Sequence, residues 1–245
     1  LIEVADLAYL DSNTDDLGVQ ISTKVDMSKV NEHISNLVSE LNSGVSFLLN
    51  KAGVDIVSGT ARFSRPNRVA VENSDGGLQH FEFRDAIVAT GSSPVELANF
   101  PIDGESTVNS ASLLFQGSLP EQLTLIGGGY IGVELATAFA KLGSHVVIVE
   151  LEDQLLPGFN KNLSKKLEDG LRSLGVGISL GYEAISFDKK ELMIKSNDVI
   201  SSIPTEILGI VAGRRPNSEI VNITECGASI TSSGHVIVDE QRRAT

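Results

Sequence analysis

The feature that most constrains this 245-residue sequence is a glycine-rich turn at Gly127–Gly132. The turn follows an apolar run, Leu123–Ile126, that is typical of a buried strand. An apolar pattern at helical spacing, Ile131–Leu142, comes next, and a second apolar strand, Val146–Val149, ends at Glu150. A G-x-G-x-x-G turn between a strand and a helix, followed about 20 residues later by an acid, predicts a dinucleotide-binding unit. A merely flexible glycine turn would not explain the acid.

Each glycine of the pattern has a physical role in this interpretation. Gly127 allows the tight turn, Gly129 lets the backbone approach a pyrophosphate, and Gly132 lets helix and strand pack closely. Lys141 is predicted in the last turn of the helix, where its positive charge suits the negative end of the helix dipole. Gly143, just beyond the helix, suits a left-handed cap.

The chain around this unit alternates between predicted strands and helices. A second helix is expected at Leu163–Leu174, with further strands at residues 176–180, 191–195 and 207–212. This alternation predicts an α/β fold with a parallel sheet.

The first hundred residues have a different pattern. They predict a long amphipathic helix from Asp26 to about Asn50, and then short β runs at residues 54–63, 68–73 and 78–83 that form a meander. Ala86–Thr90 is apolar without alternation and is predicted to be a strand covered on both faces. Residues 97–119 read as an irregular connection between domains.

Composition narrows the classes of function. A formal charge of -13 argues against binding to nucleic acid or anionic membranes, and the sequence suggests a soluble, cytoplasmic protein. The single cysteine, Cys226, cannot form an internal dithiol pair, so we interpret it as a small buried residue rather than a redox centre.

Three segments together resemble a known family. They are residues 86–94 (AIVATGSSP), 127–134 (GGGYIGVE) and 213–217 (GRRPN), and the series is similar to the pyridine nucleotide-disulfide oxidoreductases. Within that family, residues 87–114 look most like dihydrolipoamide dehydrogenases of the Gram-positive type.

The resemblance implies a Rossmann-like NAD-binding domain inserted into part of a second, FAD-binding α/β domain. The expected division is residues 1–110 for the partial FAD-binding domain, 111–225 for the NAD-binding domain and 226–245 for the return segment. It also implies a central fragment, because the family's reactive disulfide, first flavin motif and dimer-interface domain have no counterpart in the sequence.

The family's cofactor contacts map onto specific positions. Flavin contacts are expected at Thr90, Gly91 and Ser92, with Ala61 near the adenine of FAD; a strand end followed by a turn is the alternative for the first three. NAD contacts are expected at Gly127, Gly128, Gly129, Tyr130, Ile131, Gly132, Val133, Glu134, Glu150, Ala184 and Gly213. For Glu134, which we place in the first helical turn, a favourable interaction with the helix dipole is the alternative. The resemblance also implies that Tyr130 is a movable cover over the nicotinamide pocket; a solvent-exposed tyrosine in the turn is the alternative. Arg214 and Arg215 are left unassigned, and no catalytic or metal-binding residue is assigned.

The intact enzyme implied by the resemblance passes electrons from dihydrolipoamide, on a lipoyl carrier, through a disulfide and FAD to NAD. Its partners would be a 2-oxoacid dehydrogenase complex and a second copy in a homodimer. The alternatives are a non-catalytic NAD-binding fragment and another flavin disulfide reductase, such as mercuric or glutathione reductase. Glu150 argues against the NADP-preferring members.

Overall fold

The computed structural model describes residues 1–10 and 22–244. It contains five α-helices in this part of the chain: α1 Ile2–Tyr9, α2 Met27–Lys51, α3 Ser110–Leu113, α4 Tyr130–Lys141 and α5 Lys161–Ser173. The strands are β1 Thr60–Arg65, β2 Arg68–Glu72, β3 Leu78–Glu82, β4 Ser92–Pro94, β5 Thr107–Asn109, β6 Gln122–Ile126, β7 His145–Glu150, β8 Gly177–Leu180, β9 Glu183–Phe187, β10 Glu191–Ser196, β11 Val199–Pro204, β12 Ile207–Ile210 and β13 Arg214–Pro216. A 3₁₀ helix spans Ile223–Cys226.

The chain separates into two compact units. Unit 1 contains residues 1–40 and 94–213, and unit 2 contains residues 41–93 and 214–245. These limits differ from the predicted domain limits at 110 and 225, because β5 joins the main sheet of unit 1 and β13 pairs with β4. The assignment of one cofactor to each part of the chain stays a prediction.

Unit 1 is built around a five-stranded sheet in the order β5-β12-β6-β7-β8. Every neighbouring pair in it is parallel, which confirms the predicted α/β class. Alternate residues of β6 and β7 point into two apolar clusters: Leu125 and Ile148 lie in the cluster that contains α4 and α5, whereas Ile126 and Val149 lie in the cluster that contains β10. Both faces of these strands are therefore covered, which explains their continuous apolar sequence.

The second covering layer is the antiparallel sheet of β9, β10 and β11, of which only β10 was predicted. Leu192 and Ile194 of β10 are buried against the parallel sheet.

Unit 2 contains the predicted meander, an antiparallel sheet in the order β1-β2-β3. Phe63 packs there against Val221, Ile223 and Ala228 from the 3₁₀ helix region. Cys226 is half-buried and donates its thiol hydrogen to the carbonyl of Ile223 over 2.9 Å, which suits a packing role.

Two expectations are corrected. Ala86–Thr90 is not a strand in the structure, and the side chain of Ile87 is 98% exposed. A strand covered on both faces needs hydrogen-bonded neighbours, and no strand of the described residues pairs with this segment. The connection at residues 97–119 is not wholly irregular, because it contains β5 and the short helix α3, which Asn109 caps.

Helix α4 ends as its sequence predicts. The amides of Gly143 and Ser144 donate to the carbonyls of Ala140 and Phe139, both over 3.0 Å, and Gly143 has a φ of +105°. This is the Schellman arrangement, for which a glycine is favoured. Within the described residues, no helix is both long and apolar enough to cross a membrane.

Candidate functional site

The glycine turn lies where the order of the parallel strands reverses. From β6 the chain proceeds to β7 and β8 on one side, and it later returns to form β12 on the other side of β6. The turn at residues 127–129 follows β6, Glu150 ends β7, and residues 211–213 follow β12. In open parallel sheets, ligands bind in the crevice outside the carboxyl ends of the strands at such a reversal.

Two of the glycines are required by close packing. Gly127 has a φ of +118°, and a β-carbon there would lie 2.6 Å from the carbonyl oxygen of Val211. A β-carbon on Gly132 would collide with the carbonyl oxygen of Gly127, because α4 starts directly against the end of β6. The predicted roles of Gly127 in the tight turn and of Gly132 in close packing are confirmed; their contact with a cofactor stays a prediction.

Gly129 is different, because a β-carbon added there would meet no atom of residues 1–10 or 22–244 within 4 Å. Gly129 is also the N-cap of α4, and no side chain among the described residues caps the start of this helix with a hydrogen bond. The first amides of a helix have no partner within it and carry the positive end of its dipole. This end of α4 is therefore open to a phosphate group, which fits the pyrophosphate of a dinucleotide.

The carboxylate of Glu150 contacts the glycine turn directly. Its Oε2 accepts the N–H of Gly128 over 2.5 Å, and its Oε1 accepts the N–H of Glu152 over 2.9 Å. The side chain lies at the buried end of β7, with 8% of Glu150 exposed. The sequence predicted that Glu150 lies beside a ribose, but not its hydrogen bond to Gly128. The available signal was Gly128 itself, a glycine at a motif position where any residue is allowed.

The remaining predicted NAD contacts on α4 have different environments. Tyr130 is 62% exposed, and its role as a movable cover stays a prediction. Val133 is buried and its N–H donates to the carbonyl of Gly129, so that N–H is already used within the helix. Glu134 is the fifth residue of α4 and not in its first turn, so the alternative based on the helix dipole is wrong. Ile131 and Glu134 line an apolar groove of about 580 Å³ in unit 1.

The two other predicted positions lie outside α4. Gly213 has a φ of +121°, and its carbonyl accepts the N–H of Val95 over 3.0 Å. Ala184 is half-buried in β9, paired with Ile194.

In unit 2, the loop predicted to contact the flavin is held by two residues that sequence reasoning left without a role. Asn217 donates from its side chain to the carbonyl of Thr90 over 2.9 Å and from its backbone to the carbonyl of Gly91 over 3.1 Å. Arg214 donates to the hydroxyl of Ser92 over 2.8 Å and also to its carbonyl. The segment GRRPN at 213–217 contributed to the resemblance, but nothing in the sequence indicated its contact with residues 90–92.

The open face of this loop fits a ligand contact. Gly91 has a φ of +67°, and a β-carbon there would meet no atom within 4 Å. Ala61, predicted near the adenine of FAD, is exposed in β1 opposite Val71.

Comparison with known proteins places the chain in a family. Residues 8–245 match the family described as pyridine nucleotide-disulphide oxidoreductase, and the chain belongs to this family. Among curated relatives, a dihydrolipoyl dehydrogenase of Pseudomonas aeruginosa is 36% identical over 231 residues, which are 94% of this chain and 49% of the relative. One of Bacillus subtilis is 35% identical over 240 residues, covering 94% of this chain and 50% of the relative. The chain thus spans about half the length of the curated relatives it matches.

Solved structures agree on the fold. LpdA from Mycobacterium tuberculosis superposes with a TM-score of 0.85 at 22% identity, covering 99% of this chain and 54% of that one. A variant of the HOCl-induced flavoprotein disulfide reductase RclA from Escherichia coli, in a Cu(II) complex, gives a TM-score of 0.83 at 24% identity, covering 100% of this chain and 52% of that one.

Proposed function

We propose that unit 1 binds NAD and that the protein works as an FAD- and NAD-dependent disulfide oxidoreductase of the dihydrolipoamide dehydrogenase type. One observation carries the proposal: the uncapped start of α4 follows an open glycine turn at the strand reversal, with a buried carboxylate at the end of the next strand. The chemistry supplied by bound FAD and NAD is hydride transfer between a flavin ring and a nicotinamide ring.

The residues of unit 1 bind and orient the nucleotide in this proposal. The N–H groups at the start of α4 hold the pyrophosphate, and Gly129 leaves room for it. Glu150 accepts hydrogen bonds from the adenosine ribose, and Tyr130 covers the nicotinamide pocket until the ring enters. In unit 2, the loop held by Arg214 and Asn217 presents Thr90, Gly91 and Ser92 to the flavin.

The substrate proposal rests on the curated relatives. Their dihydrolipoyl dehydrogenase names support dihydrolipoamide on a lipoyl carrier as the electron donor, and a 2-oxoacid dehydrogenase complex as the setting. A homodimer is part of the same proposal.

Calorimetric titration of the chain with NAD and with NADP, at one ionic strength, tests the binding proposal. We expect tighter binding of NAD, because a 2′-phosphate beside Glu150 adds repulsion and removes a hydroxyl donor. Loss of one charge-assisted hydrogen bond corresponds to a preference of about tenfold to a hundredfold. No measurable heat with NAD, or equal affinities, would contradict the proposal.

A second candidate is an NAD-binding module without turnover, and the single cysteine of the sequence favours it for these 245 residues taken alone. An assay of dihydrolipoamide-dependent NADH formation separates the two candidates. A polypeptide verified to contain only these residues should bind NAD without turnover, whereas a longer protein that contributes a cysteine pair should turn over.

A further inference from the structure

The glycine turn is tied by three hydrogen bonds to the end of β7 and to the segment that follows it. The N–H of Gly127 donates to the carbonyl of Val149 over 2.9 Å, and the N–H of Gly128 donates to the carboxylate of Glu150 over 2.5 Å. From the other side, the N–H of Leu156 donates to the carbonyl of Gly128 over 2.8 Å. Both the N–H and the carbonyl of Gly128 are therefore hydrogen-bonded.

A side chain at Gly128 would crowd the middle bond. A β-carbon on Gly128 would lie 2.8 Å from Cδ2 of Leu155 and 3.1 Å from Oε2 of Glu150. Glu150 is 8% exposed, and a buried carboxylate is costly unless hydrogen bonds compensate it. The N–H groups of Gly128 and Glu152 supply this compensation, one to each oxygen.

These bonds leave the carboxylate able to accept more. A carboxylate has about four acceptor positions, and two are used by the backbone. Contact with a ribose would therefore add to the bond with Gly128 and would not have to replace it.

We infer that Glu150 is a positioning residue for the phosphate-binding turn, in addition to any contact with a ribose. The inference rests on the proposed NAD-binding function. This inference predicts that removal of the carboxylate weakens the binding of a ligand that has phosphates but no ribose. A residue that only contacts ribose hydroxyls would leave such a ligand unaffected.

Inorganic pyrophosphate is the probe, measured by its displacement of NAD from the wild-type chain and from Glu150→Gln at fixed ionic strength. The glutamine keeps one oxygen, but its NH₂ group faces one of the two N–H donors. We expect pyrophosphate to bind Glu150→Gln about tenfold more weakly than wild type, since one charge-assisted hydrogen bond is lost. Asp153→Asn is the matched control. It also removes one carboxylate charge, three residues after Glu150, but the Asp153 carboxylate pairs with Lys161 and not with the glycine turn. This variant should bind pyrophosphate like wild type.

Amide exchange of Gly128, followed by NMR, is the second measurement. We expect faster exchange in Glu150→Gln than in wild type and Asp153→Asn, and partial recovery of pyrophosphate affinity in Glu150→Asp. If Glu150→Gln does not fold, Gly128→Ala disturbs the same contact while keeping the carboxylate, and it should also weaken pyrophosphate binding.

The outcomes separate the two proposals. Failure of wild type to bind NAD overturns the proposed function, and this inference with it. Binding of NAD with equal pyrophosphate affinity in wild type and Glu150→Gln overturns the inference alone. So does failure of pyrophosphate to displace NAD from wild type, because the turn would then not be a phosphate site.

Discussion

Gly132 and Gly170 are both glycines inside helices, but their surroundings are opposite. A β-carbon on Gly132 would collide with the carbonyl of Gly127, whereas one on Gly170 would meet no atom within 4 Å. Gly132→Ala should therefore lower the free energy of unfolding by about 1–3 kcal/mol through overpacking. Gly170→Ala should raise it by about 0.4–1 kcal/mol, because alanine restricts the unfolded chain. Urea denaturation checks both, and a neutral Gly132→Ala would mean that α4 can shift away from β6.

Asp103 organises the turn before β5. Its Oδ1 accepts the N–H groups of Glu105, Ser106 and Thr107 over 2.8–2.9 Å, and Oδ2 lies 3.1 Å from Nζ of Lys189. The hydrogen bond from the Thr107 backbone is the largest cause that holds the pKa of Asp103 well below its ordinary range, and desolvation opposes it.

A lowered pKa in the folded state predicts a pH dependence with a definite sign. The charged Asp103 stabilises the fold above the ordinary aspartate pKa of about 3.9, and this contribution is lost as the pH falls towards the folded-state value. Asp103→Asn should cost about 1 kcal/mol at pH 7, a modest figure because the site is partly screened by solvent, and the difference from wild type should shrink below about pH 4. Urea denaturation at pH 7 and below about pH 4 measures the difference in the free energy of unfolding between Asp103→Asn and wild type. Asp75→Asn, whose carboxylate accepts one backbone N–H from Gly77, is the control with a smaller expected effect. A difference that stays constant with pH would contradict the assignment.

At the scale of elements, the buried strands β6 and β7 and the helix α4 were predictable, whereas the exposed edge strand β11 was not. Burial on both faces requires a continuous apolar sequence in the strands β6 and β7. Burial along one stripe requires apolar residues at helical spacing in α4. β11 has no such signal, because it lies at a sheet edge and Val199 and Ile200 are exposed. Its hairpin turn with β10 is Asn197-Asp198, with φ of +47° and +66°, and it lacks the glycine that usually marks such a turn.

Tertiary contacts set the limit of prediction. The apolar run at 86–90 predicted a strand. An apolar run does not reveal whether neighbouring strands are present to hydrogen-bond to it, and no strand of the described residues does so. The same limit applies to the candidate site: spacing predicted the glycine turn and the acid, whereas the contacts of Glu150 with Gly128 and of Arg214 with Ser92 join residues far apart in sequence.

Arg214 and Arg215 provide a test of the loop at residues 90–93. Arg214 bonds to Ser92 on the neighbouring strand β4, whereas Arg215 pairs with Glu219 four residues away. Arg214→Ala should speed amide exchange of Ser92, Ser93 and Val95 about tenfold, which corresponds to a loss of roughly 1.4 kcal/mol in local stability. Arg215→Ala should leave it near the wild-type rate. Equal effects of the two variants would remove the special role of Arg214.

At the scale of the whole molecule, the proposed NAD site lies entirely within unit 1. Ligand binding stabilises the part of the protein that binds it, by about 2.7 kcal/mol at a hundredfold excess over Kd. NAD should therefore slow hydrogen exchange in residues 122–150 and 207–213 more than in the meander at residues 60–82. Mass spectrometry of the chain with and without NAD measures this. Protection spread evenly over both units would contradict a site confined to unit 1.

The hydrogen bond of 3.0 Å between the N–H of Val95 and the carbonyl of Gly213 joins the two ends of the long segment 94–213. The segment leaves and re-enters the chain at adjacent points, so a short turn can replace it without stretching the backbone. In genetic terms, residues 94–213 of unit 1 are one continuous stretch of coding sequence whose two ends lie side by side in the fold, whereas residues 1–40 of the same unit are encoded separately.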